Sequence, residues 1–199
     1  MPAALRESRE DGSSEGETMD NSTGDVTLLC GFVFDVLEEY KGMKKVCGPA
    51  FDMARDLDPR RPDAWCKMDV YNGICTWIEE NIGAASIRKA GIEIGKRVFD
   101  QVVKTQKLSA AEATPLAMMQ ALKWAASTMI KDPRGRGWEI LSSADGRVVM
   151  RRTQTFNCTM QEGLLLSLVE RTQVEAADVA HDRCTKRGDE FCEYTLTWL

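Results

Sequence analysis

Four potential metal ligands crowd the C-terminal part of the chain, and their spacing restricts how that region can fold. Cys158, His181, Cys184 and Cys192 are separated by 23, 3 and 8 residues. Three thiolates and one imidazole make a complete tetrahedral set, the pattern of a closed structural zinc site. Such a site must bring the segment near residue 158 against a hairpin spanning 181–192. His181 is the only histidine in the chain, so any function must proceed without a free imidazole. With all four positions filled none is left for water, which argues against zinc hydrolysis. Spacing alone leaves two other uses open. Cys158 and Cys192 can be small buried hydrophobes with His181 at the surface, or Cys184 and Cys192 can act as a redox pair.

The rest of the composition narrows the setting. Seven cysteines, an odd and scattered set, suit thiols and metal ligands in a reducing compartment better than disulfides, so a cytoplasmic location is expected. A net charge of -5 and the lack of a basic stripe argue against nucleic acid as the main partner. The densest basic run, Arg147 to Arg152, reads as a solvated strand face. No apolar run reaches a membrane span, and the N-terminus lacks the apolar core of a signal peptide.

Residues 1–24 are rich in Ser, Gly, Glu and Asp, and composition predicts a disordered tail. Residues 25–199, with 43% hydrophobic residues over the whole chain, read as one domain. Leu28, Leu29, Phe32, Val33, Val36 and Leu37 recur at helical spacing, with a strand over 32–34 as the competing reading. A short helix is expected over Lys44–Leu57. Two strong helices follow, one carrying Val70, Ile74, Trp77 and Ile78 and closing at Gly83, the other running from about Ala85 to Val103. Gly91 and Gly95 in the latter could let a second helix approach, in this chain or in a dimer. Ser109–Glu112 has the form of a capping box, and Thr114-Pro115 opens a helix to about Ile130.

The last third changes character. Trp138–Ser142 and Arg147–Arg152 flank the turn Asp145-Gly146. An amphipathic helix is expected over Met160–Arg171, with strands over Val174–Ala180 and Phe191–Trp198. The fold class is therefore α/β (α+β): N-terminal helices packed on a four-stranded antiparallel sheet, with strand–strand–helix–strand–strand order in the C-terminal half.

The segment from Cys184 through Gly188-Asp189 to Cys192 and the final strand ending at Trp198 resembles the C-terminal signature of the 4-vinyl reductase domain family. Asn157-Cys158, followed by a helix containing Gly163, fits the upstream pattern, and the resemblance spans roughly residues 26–199. That family lies in a superfamily with the heme-nitric oxide-binding sensors and TRAPP transport subunits. The resemblance implies helices on a four-stranded antiparallel sheet with a small-molecule pocket between them. It also implies a zinc held by three cysteines and a glutamate in aromatic-sensing activators, with Cys158, Cys184 and Cys192 at the cysteine positions and His181 in place of the glutamate. The lack of a spare histidine argues against phenol recognition through histidine and against histidine-ligated heme.

The expected function is a stand-alone sensor or carrier for a small apolar or aromatic molecule, with a structural zinc. Trp138, Trp124, Phe99 and Met119 are the candidate pocket residues. Output would pass through a homodimer or a separate effector protein. A TRAPP-like scaffold subunit and a tetrapyrrole-handling protein are the alternatives. No catalytic constellation is visible in the sequence.

Overall fold

In the computed structural model, which describes residues 23–199, the first apolar segment divides in two. Thr27–Leu29 is a strand, β1, and Gly31–Glu39 is a helix, α1. Helical spacing therefore holds only from Gly31 onward. The first three residues are drawn instead into a small antiparallel sheet with Trp65–Lys67 (β2) and Ile130–Lys131 (β3), in the order β2-β1-β3. Partners this distant in sequence override local periodicity. Leu28 is fully buried at the centre of this sheet. The expected tail lies, for residues 1–22, outside the described residues.

The expected helix over 44–57 shrinks to Gly48–Met53 (α2). Pro49 lacks a backbone N–H and fits only the first turn, so a helix cannot run through it from Lys44. Met68–Asn81 (α3) and Ala84–Gln106 (α4) follow. Gly83 joins them at φ 117°, a conformation that a side chain would strain. Ser109 and Glu112 make only half of the expected capping box: the Glu112 carboxylate accepts the Ser109 amide at 2.8 Å and its hydroxyl at 2.6 Å, while the Glu112 amide donates to the Ser109 carbonyl and not to its side chain. They close a turn and not a helix, because Thr114 before Pro115 is held extended. Pro115–Met129 (α5) then starts with Thr114 Oγ1 accepting the Ala117 amide at 3.2 Å.

The C-terminal half has the expected strand–strand–helix–strand–strand order. Trp138–Ala144 (β4) and Arg147–Arg152 (β5) form a hairpin. Cys158–Glu170 is α6, and Asp178–Arg183 (β6) and Cys192–Thr197 (β7) complete the sheet. The four strands run antiparallel in the order β4-β5-β7-β6. One strand sits later than its sequence suggests. Gln173 and Ala176 take φ values of 65° and 49°, which turn the chain and delay β6 until Asp178. His181 thereby moves from a strand end into the strand itself.

Alternation along the sheet places Val148, Met150, Cys192, Tyr194 and Leu196 on the inner face, each 1% exposed or less. Burial of such side chains contributes roughly 1.5–3 kcal/mol each. Helices α5 and α6 cover this face, and α4 packs on α6.

The α4–α6 crossing explains the paired glycines. A Cβ on Gly91 would lie 2.1 Å from the Met160 carbonyl oxygen, and one on Gly163 would lie 2.1 Å from that of Arg88. A Cβ on Gly95 would meet Leu164 O at 2.8 Å. Gly91 and Gly95 are therefore spent inside the monomer, where they admit α6, and form no surface for a dimer. No helix among the described residues is long and apolar enough to cross a membrane.

Candidate metal centre

Each of the four sequence-predicted ligands is placed by local backbone chemistry. The Asn157 side chain accepts the Met160 amide at 2.9 Å and caps α6, which sets Cys158 at the first helical position. The Cys184 amide donates to Asp189 Oδ2 at 2.7 Å, and Gly188 turns the chain at φ 92°. That turn returns the chain to Cys192, the first residue of β7. His181 lies on the neighbouring strand, at the start of a register irregularity between His181 and Arg183.

The four side chains converge. Their ligand atoms all lie within 4.8 Å of one another. Cys158 Sγ is 3.7 Å from Cys192 Sγ and 3.6 Å from Cys184 Sγ. Tetrahedral zinc with bonds of about 2.3 Å to sulfur spaces its sulfurs roughly 3.8 Å apart, so the observed separations suit such an ion. The three cysteines are buried, at 4%, 5% and 0% exposure. His181 Nδ1 lies 2.9 Å from Glu162 Oε1. Its Nε2 is buried without a hydrogen-bond partner among the described residues. Glu162 thus fixes the ring through one nitrogen and leaves the other as the donor for a metal. The His181 ring stacks on Tyr194, with centroids 4.4 Å apart and planes 11° apart. These residues fit a closed Cys3His centre.

Arg152 corrects the reading of the basic run as a solvated face. It is 0% exposed and lies in register with Trp138 on one side and Cys192 on the other. Its Nη2 is 3.2 Å from Cys158 Sγ and 3.1 Å from Cys192 Sγ. The rings of Trp138 and Tyr194 flank its guanidinium at 5.8 and 5.7 Å.

The metal-free electrostatics favour one thiolate. A hydrogen bond from Cys158, aided by His181 and Arg152, pulls the Cys192 thiol down to about 2. The same bond with Cys192, together with burial, pushes Cys158 up. Burial opposes charge on His181, but the nearby Cys192 and Cys184 sulfurs and the Glu162 carboxylate outweigh it and raise the ring to about 9. Elsewhere burial pushes Cys66 and Cys75 up to about 12, where they stay protonated and unreactive.

A second set of side chains backs the centre. Glu79 on α3 accepts from Asn157 Nδ2 at 2.7 Å and Lys186 Nζ at 2.8 Å, and from Thr159 Oγ1. It ties the start of α6 and the turn after Cys184 to α3. Sequence reasoning does not find Arg152, Glu162, Tyr194 or Glu79 as parts of the site. Alternation is the usable signal for Arg152, since it shares parity with Val148 and Met150. Glu162 and Glu79 carry no local signal, because their partners lie 19 or more residues away.

The four expected pocket residues are not brought together in one cleft. Trp138 is buried at the sheet's edge beside Tyr194, with ring centroids 5.7 Å apart. Met119 is buried on α5. Phe99, on α4, lies under the Arg171 guanidinium at 5.1 Å. Trp124 is 61% exposed, because α5 buries the stripe of Pro115, Met118, Met119, Ala121 and Ala126 and leaves position 124 outside it. Trp124 therefore does not line an interior pocket. A cleft of about 290 Å³ opens over Cys158, between Asn72, Phe156 and Lys186. Another, of about 460 Å³, lies between the segment before α5 and the pair Val174 and Trp198.

No protein-family model matches the chain, and no curated protein matches it in sequence. Solved structures do align. An H-NOX protein from S. oneidensis in the Fe(II)NO ligation state superposes with a TM-score of 0.57 at 13% identity, covering 85% of this chain and 98% of that one. An Fe(II) unliganded H-NOX mutant from K. algicida gives 0.56 at 9% identity, covering 86% and 97%. A trafficking protein particle complex subunit 3 from Naegleria fowleri, covalently bound to palmitic acid, gives 0.42 at 12% identity, covering 84% and 96%. The chain has the mixed α+β fold of the H-NOX proteins, with an open four-stranded sheet.

Proposed function

We propose that this chain is a small-molecule-binding sensor or carrier domain whose C-terminal sheet is clamped by a structural zinc at Cys158, His181, Cys184 and Cys192. The observation that carries the zinc is the pair of sulfur separations, 3.6 and 3.7 Å, with all four ligand atoms inside 4.8 Å. With four protein ligands the ion is structural, and it fastens the β6–β7 hairpin to the start of α6. Zinc supplies fixed tetrahedral geometry and no chemistry on a substrate. The sequence signature at 157–198 supports kinship with the 4-vinyl reductase domains.

The sensor reading draws on the fold shared with H-NOX proteins, which have been solved in Fe(II)NO and unliganded states. A histidine-held porphyrin here would have to take His181 from the sulfurs, so the ligand is an apolar or aromatic small molecule in its place. Output passes to a second copy or a separate effector. Seven free cysteines support a reducing, cytoplasmic setting.

Native mass spectrometry of the full chain, purified without chelator, tests both parts. The expected result is one zinc per chain, together with retained aromatic molecules or a raised melting temperature on adding them. A metal-free chain of full stability overturns the clamp. A zinc-loaded chain whose melting temperature responds to no aromatic compound overturns the sensor reading.

A further inference from the structure

The Arg152 guanidinium is a positive charge sealed in the protein, with no carboxylate paired to it among the described residues. Its side chain is 0% exposed. Its hydrogen bonds go to two sulfurs, those of Cys158 and Cys192. Nε and Nη1 have no hydrogen-bond partner among the described residues. A buried guanidinium always carries its charge, and an isolated buried charge is strongly destabilising. Some anion must therefore offset it.

The neighbouring charges do not serve. The Glu79 carboxylate is taken by Lys186, and that of Glu162 by His181 Nδ1. The remaining candidate is the sulfur cluster. Three thiolates, one neutral imidazole and a divalent zinc leave a single net negative charge. One guanidinium balances it. The geometry agrees, since Nη2 sits 3.1–3.2 Å from two ligand sulfurs, close enough for charge-assisted N–H···S bonds.

We propose that Arg152 is the counter-ion of the metal centre, making zinc, its four ligands and Arg152 one neutral buried unit. This rests on the zinc reading above. Arg152 touches ligands and not the metal, so it is a positioning residue. Its N–H bonds withdraw electron density from the thiolates, which shields the zinc-bound sulfurs from electrophiles and disfavours loss of the ion. Trp138 and Tyr194 complete the enclosure: their ring faces flank the guanidinium, keep water away, and favour the cation.

The test uses the full chain, with Arg152→Met and Arg152→Lys beside wild type. Cobalt titration of wild type first establishes that the cluster binds metal, through tetrahedral sulfur-to-cobalt bands. Zinc affinity is then read by competition with a chromophoric chelator, and sulfur reactivity by iodoacetamide labelling of zinc-loaded protein. Arg152→Met is expected to weaken zinc about 10- to 100-fold, the usual effect of losing a partner of a metal ligand, and to label faster. Arg152→Lys keeps the charge and should stay within about tenfold of wild type. A folded Arg152→Met chain with wild-type affinity and labelling rate overturns the proposal. If Arg152→Met does not fold, the lysine variant decides, since a loss beyond tenfold shows that the charge is not what the cluster needs. A wild-type chain that takes up neither cobalt nor zinc overturns the zinc reading itself, and this inference with it.

Discussion

His181 lies flat against Tyr194 across the β6–β7 ladder, with ring centroids 4.4 Å apart, while Glu162 on α6 holds its Nδ1 at 2.9 Å. Between them the imidazole has lost its rotational freedom and presents only Nε2. Pre-orientation of this kind is what separates a ligand from a histidine that happens to lie near cysteines.

Removing the Glu162 contact should therefore weaken the metal without unfolding the domain. Glu162→Gln leaves the ring free to adopt the other tautomer, and zinc affinity should fall about tenfold. Chelator competition reads the change, and the far-ultraviolet circular dichroism should match wild type.

Losing a sulfur should be far more damaging. Cys192→Ala removes a ligand and leaves Arg152 with one of its two sulfur partners. Breaking a buried charged pairing costs about 3–5 kcal/mol, and each 1 kcal/mol is worth about 2–4 °C in a domain of this size. The melting temperature should drop by roughly 6–20 °C, and added zinc should not restore it.

The helix crossing gives a prediction independent of metal. Gly91→Ala drives a methyl to 2.1 Å from the Met160 carbonyl oxygen, and α6 cannot yield without shifting the Cys158 end of the helix. A loss of about 3 kcal/mol, the upper end for overpacking, is expected by urea denaturation. Gly42→Ala serves as the control: a Cβ there meets no described atom within 4 Å and the position needs no positive φ, so its effect should be neutral or slightly stabilising.

Glu79 gives the pH dependence. Burial raises its carboxyl, but hydrogen bonds from Lys186, Thr159 and Asn157 outweigh it and hold the group below its ordinary 4.5. A carboxyl lowered by folding stabilises the protein above the unfolded-state value and loses that contribution as pH falls through the folded-state value. Wild type should be about 1 kcal/mol more stable than Glu79→Gln at pH 7. The difference should close as pH drops below 4.5, when both proteins are compared by denaturant titration. A gap that does not narrow as pH falls contradicts the assignment.

How much of the structure is legible in the sequence depends on the range over which each signal acts. The four ligands are legible because tetrahedral zinc needs a known donor set, and three of them fall within twelve residues. The C-terminal strand order follows from alternation and from the turns at Asp145-Gly146 and Gly188-Asp189. β1 is hidden because three residues are too few to show a period, and its partners lie near residues 66 and 130. The charge of Arg152 suggests solvent, while its strand parity points inward, and parity is the better guide. Gly91 and Gly95 mark an approach site in the sequence, but only the fold shows that Gly163 of the same chain is what approaches. The pocket is the least legible part, since an aromatic side chain packs a core and lines a cavity with the same chemistry.

Whether a zinc clamp closes the C-terminal sheet can be read by zinc K-edge X-ray absorption on chain purified without chelator, with metal content measured on the same sample. The expected spectrum is that of one zinc per chain, with three sulfurs at about 2.3 Å and one nitrogen at about 2.0–2.1 Å. Stable, folded protein without metal, or zinc bound through oxygen donors, would contradict the clamp.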